Sequence, residues 1–135
     1  MAAASDERTA AEVSGLRHDE GVRLDPDRLG ALYAELGHAS AESVVCRAME
    51  ELAVRITDMQ RFLATGEHDA LYRPGRLLAK VADQIGMTSL ARVATDVCLC
   101  AERGDGAALG ATMARLVRIG DRSLTAVWDL QDLSV

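Results

Sequence analysis

The chain has 135 residues, a length suited to one domain with a single core. Apolar residues make up 49% of it and aromatics only 3%, which excludes a disordered composition, demands an aliphatic core and argues against an all-β fold. The net charge of -6, from 21 acidic and 15 basic side chains, argues against a nucleic-acid partner, which would need a basic face to neutralise phosphates.

Residues 1–22 are small, polar and weakly periodic, and read as a flexible N-terminal arm that Val13 and Leu16 could dock. Order is expected to start at Leu24. Asp25 suits an N-cap and Pro26 the first helical position. Leu29, Leu32, Tyr33 and Leu36 then follow at helical spacing until Gly37. Ser40 is expected to cap a second, longer helix, whose Val45, Ala48, Leu52, Ile56, Met59 and Leu63 form one apolar stripe ended by Thr65 and Gly66. A third segment from Glu67 to Ile85 carries Leu71, Leu78, Val81 and Ile85 inward, and Pro74-Gly75 predicts a kink or restart within it. Thr88 is expected to cap a fourth helix with Leu90, Val93, Ala94, Val97 and Ala101 buried, closed by Gly104. Asp105 caps a fifth, with Leu109, Met113, Leu116, Gly120, Leu124 and Val127 on one side. Short loops make neighbouring helices antiparallel. The expected fold over residues 23–135 is therefore all-α: an antiparallel four-helix bundle with an extra short N-terminal helix.

Chemistry-bearing clusters are few. His18, His38 and His68 fall in the arm or in predicted loops, and none has a second histidine at i+3 or i+4, so no metal site is expected. Cys98 and Cys100 point about 200° apart on a helix, which separates them as a ligand or redox pair. The three cysteines, Cys46 included, read as reduced thiols. The adjacent carboxylates Asp19-Glu20 and Glu50-Glu51 read as solvated faces rather than acid/base pairs. No Gly-rich phosphate loop and no nucleophile–base order stands out, so neither a cofactor nor an independent enzyme is expected. No apolar run approaches the ~20 residues that span a bilayer. The opening MAAASDERTA lacks the apolar segment of a secretory signal, so no membrane partner and a cytoplasmic location are expected. One helix face stands apart. Arg76, Ala79, Lys80 and Asp83 lie opposite the third segment's stripe, with Arg73 one turn earlier, and Lys80 is the only lysine in the chain. This is a basic strip on an acidic protein, which reads either as a solvated face or as a contact surface.

The order of elements resembles the histidine-containing phosphotransfer (Hpt) domain of bacterial phosphorelays, from about Leu24 to Trp128. Leu24-Asp25-Pro26-Asp27-Arg28-Leu29 through Leu36-Gly37 is similar to that family's first helix. Phe62 to Leu71 resembles its link into the acceptor helix, Ile85-Gly86-Met87 to Leu90 the turn that ends it, and Ala101-Glu102-Arg103-Gly104-Asp105 the next turn. The family's acceptor motif reads His-x-x-Lys-Gly, with a further glycine beyond it. Counting back ten residues from Gly86 puts Arg76 in the histidine slot, Ala79 in the lysine slot and Lys80 in the glycine slot. A shift by one residue aligns Lys80 with the family's lysine but puts Leu77 at the acceptor, so neither register supplies a histidine.

An acceptor needs a nucleophilic imidazole nitrogen. Arginine stays protonated and is no nucleophile at neutral pH. The resemblance therefore implies a degenerate module that binds a response-regulator receiver domain without accepting phosphate. Arg73, Arg76 and Lys80 would face the receiver's acidic pocket, with Ala79 and Asp83 beside them. The alternative is a structural or oligomerisation bundle without a receiver partner, which predicts an exposed apolar patch and concentration-dependent association. A third possibility, active phosphotransfer, requires an acceptor that the sequence does not supply.

Overall fold

A computed structural model describes residues 22–133, with side chains to Leu130. Among these residues there are five α-helices and no β-sheet: α1 (Pro26–Leu36), α2 (His38–Ala64), α3 (Tyr72–Gln84), α4 (Thr88–Arg103) and α5 (Gly106–Leu133), with a 3₁₀ turn at His68–Leu71 before α3. Helices α2, α3, α4 and α5 each pack on their chain neighbour, and α5 returns to α2, so the four close a ring around one core. Helix α1 leans on α2 from outside, and none of its residues is fully buried. The all-α bundle with an extra N-terminal helix is the architecture that the periodicity predicts. Of the arm expected over residues 1–22, all but Val22 lies outside the described residues, as do Val13, Leu16 and His18. Val22 itself packs, partly buried, against the core together with Leu24.

The core is aliphatic. Leu52, Met59, Leu71, Leu78, Ile85, Met87, Leu90, Leu109, Met113, Leu116 and Ile119 are its largest fully buried side chains. Each contributes about 1.5–3 kcal/mol of hydrophobic burial, and aromatic rings take no central part. In α4 all five expected core residues are buried, and Cys98 joins them. In α2 Ala48 and Leu63 are only partly buried, while Ala41 and Met49 complete the stripe. Ile119 and Ser123 extend the buried face of α5, and the Ser123 hydroxyl has no hydrogen-bond partner among the described residues.

Three helix starts differ from expectation. Helix α2 begins at His38 rather than after Ser40, because Gly37 serves both neighbours: its N–H donates to Tyr33 O at 2.9 Å and its carbonyl accepts from Ala41 N–H at 3.0 Å. His38 is accordingly helical, not in a loop. Helix α4 is preceded by Met87 at the N-cap, with no side-chain cap bond. The Thr88 hydroxyl is instead turned outward, donating to Arg23 O at 3.1 Å. The third segment restarts at Tyr72 rather than at Pro74. Pro74 occupies the first turn of α3, where a missing N–H leaves no bond unmade. The caps expected at Asp25 and Asp105 form, each carboxylate accepting a first-turn N–H at 3.1 Å.

The strand entering α1 is stitched across the α3–α4 turn. Asp25 N–H donates to Gly86 O at 2.7 Å, and Arg23 N–H donates to Ser89 Oγ at 2.6 Å. Gly86 adopts φ +80°, and a Cβ there would lie 2.6 Å from Asp25 O. Only glycine satisfies both the left-handed turn and the approach of the crossing strand.

Candidate functional site

All five residues of the α3 strip lie on one concave surface. Arg73, Arg76, Ala79, Lys80 and Asp83, with Tyr72 and Leu77, form one wall of an open groove of about 940 Å³. Helix α4 supplies the other wall through Ala91, Arg92, Thr95 and Asp96. The groove follows from packing: α3 and α4 bury Leu78, Ala82, Val93, Ala94 and Val97 between them and leave their polar faces as its two banks. Four cations and two carboxylates line it, on a chain whose overall charge is of the opposite sign.

Arg76 is the best-held cation of the row. Its Nη1 donates to the Tyr72 hydroxyl at 2.9 Å, and its guanidinium carbon stands 5.7 Å from the centre of the Tyr72 ring, a cation–π contact one helical turn along α3. Beneath this pair lies Cys98, whose Sγ donates to Tyr72 O at 3.4 Å. Burial pushes the Cys98 thiol up; the Arg76 guanidinium opposes the shift and Glu102 adds to it. Gly75 makes room for the sulfur, since a Cβ at that position would lie 2.7 Å from Cys98 Sγ. A small residue in α3 thus lets α4 approach closely below the arginine and fixes the height of Tyr72.

Asp83 is engaged elsewhere. Arg28 of α1 holds it with two bonds, Nη2 to the carboxylate and Nη1 to the backbone carbonyl, both at 3.1 Å. With one carboxylate occupied, the unpaired groups of the groove are mainly cationic: Arg73, Lys80 and Arg92 make no ion pair among the described residues. The α4 bank was missing from the sequence reading. Its one signal is that Arg92 and Thr95 turn away from Val93 and Val97 while Asp96 flanks them, and nothing in one helix's period says which neighbour that face meets.

His38 and His68 stand apart from the groove lining. His38 opens α2, with Nε2 3.8 Å from Glu42 Oε1, and His68 lies in the 3₁₀ turn. Among the described residues, no three histidine, cysteine or acidic side chains are grouped to hold a metal ion, and no helix is long and apolar enough to cross a membrane. The arrangement can dock an anionic surface. A guanidinium in the central position offers fork-like donors, not a nucleophile. No protein-family model matches the chain, and no curated protein or solved structure matches it either.

Proposed function

We propose that the chain is a degenerate Hpt-type bundle that docks a response-regulator receiver domain in the α3–α4 groove without accepting phosphate. One observation carries this reading: Arg73, Arg76 and Lys80 are aligned on a groove with no histidine among its described lining residues, and Arg76 takes the acceptor slot of the resemblance. Such a row complements an acidic receiver pocket and acts chiefly on orientation and encounter rate. Leu77, 40% exposed on the same bank, supplies apolar contact beside the charges. The module then competes with a true phosphotransfer partner or serves as an adaptor, in the cytoplasm with the receiver.

The chemical half of the proposal has its own test. Incubated with a phosphorylated receiver, the chain should gain no acid-labile phosphoryl group. A stoichiometric phosphoramidate on the purified protein would show that an acceptor exists and overturn the reading.

A second reading, a self-associating bundle, draws on exposed Val54, Leu99 and Trp128, at 59%, 41% and 51%. With Leu36, Val44 and Leu130 they are spread over α1, α2, α4 and α5, a distribution ordinary for a protein surface. Sedimentation across a concentration series separates the two, because only self-association makes the mass concentration-dependent.

A further inference from the structure

A second, smaller concavity adjoins the groove across Arg92. Arg23 from the entry strand, Arg92 from α4 and Arg115 from α5 surround a pocket of about 170 Å³ floored by Val93 and Ile119. Among the described residues no carboxylate lines it. None of the three guanidiniums has a hydrogen-bond or ion-pair partner among the described residues, whereas Arg28, Arg55 and Arg61 are each paired with an acidic side chain. Three like charges drawn from three elements into one hollow repel one another unless an anion joins them.

The position of Arg23 is built in. Its N–H donates to Ser89 Oγ at 2.6 Å, and its carbonyl accepts from the Thr88 hydroxyl at 3.1 Å and from Ser89 N–H at 3.4 Å. These bonds pin the entry strand to the pocket wall. They also occupy the Thr88 hydroxyl proton and the Ser89 amide, which leaves the three guanidiniums as the charged donors of the lining. The volume is below the roughly 300–1,000 Å³ that holds drug-sized molecules, which limits the ligand to a small group. Forked guanidinium donors match tetrahedral oxyanions bidentately.

We propose that Arg23, Arg92 and Arg115 form a binding site for a small phosphate-class oxyanion, either the free ion or the phosphoryl group of a small metabolite. The site is separate from the receiver reading: Arg23 and Arg115 lie outside the α3–α4 groove. The test titrates the ¹⁵N-labelled full chain with inorganic phosphate and, in a second arm, with glycerol 3-phosphate, at constant ionic strength. Saturable shifts confined to the amides of residues 22–24, 88–93 and 115–119 are expected. Arg115→Gln should weaken binding about tenfold or more, the loss of one charged hydrogen-bonding group, while Arg76→Gln should leave it unchanged. Whichever probe binds more tightly identifies the source. Drift spread over all arginines without saturation, or equal affinity in Arg115→Gln, would overturn the site. Arg115 is exposed and makes no pair among the described residues, so its substitution leaves the fold intact.

Discussion

Gly75 and Cys98 set the spacing of α3 and α4 beneath Arg76. Replacing Gly75 by alanine adds a Cβ 2.7 Å from the Cys98 sulfur, with Met59 Cε at 3.4 Å on another side. Overpacking of this kind costs about 1–3 kcal/mol, and alanine's better helix propensity returns about 1 kcal/mol at most. Gly75→Ala should therefore lower stability by about 1 kcal/mol in urea denaturation, and the loss should shrink when Cys98→Ala removes the sulfur. An equal loss in both backgrounds would place the strain elsewhere. The Cys98 thiol also makes stability depend on alkaline pH. Burial raises its folded pKa. Below the unfolded thiol value of roughly 8.5 it is protonated in both states, and its contribution is fully present. Above that value the unfolded chain loses the proton first, so stability falls as pH rises through the raised folded value. Denaturation between pH 7.5 and 10 should show a steeper decline for the native chain than for Cys98→Ala. Parallel curves would contradict the assignment.

At the scale of elements, the crossing of the entry strand over the α3–α4 turn holds α1 in place. The Arg28–Asp83 pair contributes little to this, because both side chains are about half exposed, at 47% and 54%, and such pairs stabilise by 1 kcal/mol or less. Gly86 matters more. Alanine there meets both a left-handed backbone, about 1–2 kcal/mol, and a carbonyl oxygen 2.6 Å from its Cβ. Gly86→Ala should cost about 2 kcal/mol or more by the same denaturation assay, whereas Arg28→Ala should cost less than 1 kcal/mol. The reverse order would mean that the ion pair, not the crossing, anchors α1.

Helix type and the buried stripes were legible because a 3.6-residue period shows directly which face turns inward. Leu90, Val93, Ala94, Val97 and Ala101 illustrate this without exception. Helix starts were legible only where an acidic cap marks them, at Asp25 and Asp105. Gly37 and Met87 carry no side-chain acceptor, so the starts of α2 and α4 were displaced toward the nearest hydroxyl, Ser40 or Thr88. Pro74 signals an early turn of a helix as readily as a break, and the 3₁₀ turn ending at Leu71 decides between them.

For the whole molecule, charge is distributed against its own average. A chain of net charge -6 gathers Arg73, Arg76, Lys80 and Arg92 along one groove and Arg23, Arg92 and Arg115 around the adjoining pocket. The α3 half of this surface was readable, because Arg73, Arg76, Lys80 and Asp83 share one helical face. The α4 and α5 contributions depend on which helices become neighbours, a property of packing that no single helix encodes. The role proposed for the groove rests on Arg76, supported by Tyr72, at the position that the proposed resemblance assigns to an acceptor histidine.

The most direct test is a titration of the purified full chain against a panel of receiver domains from the same cell, with and without a phosphoryl mimic. Saturable binding to at least one receiver is expected, weakened by about 1 kcal/mol or more in Arg76→Glu, as for truncated or reversed interfacial charge pairs. Absence of binding across the panel, or an affinity untouched by Arg76→Glu, would contradict the account and leave the bundle as architecture without this partner.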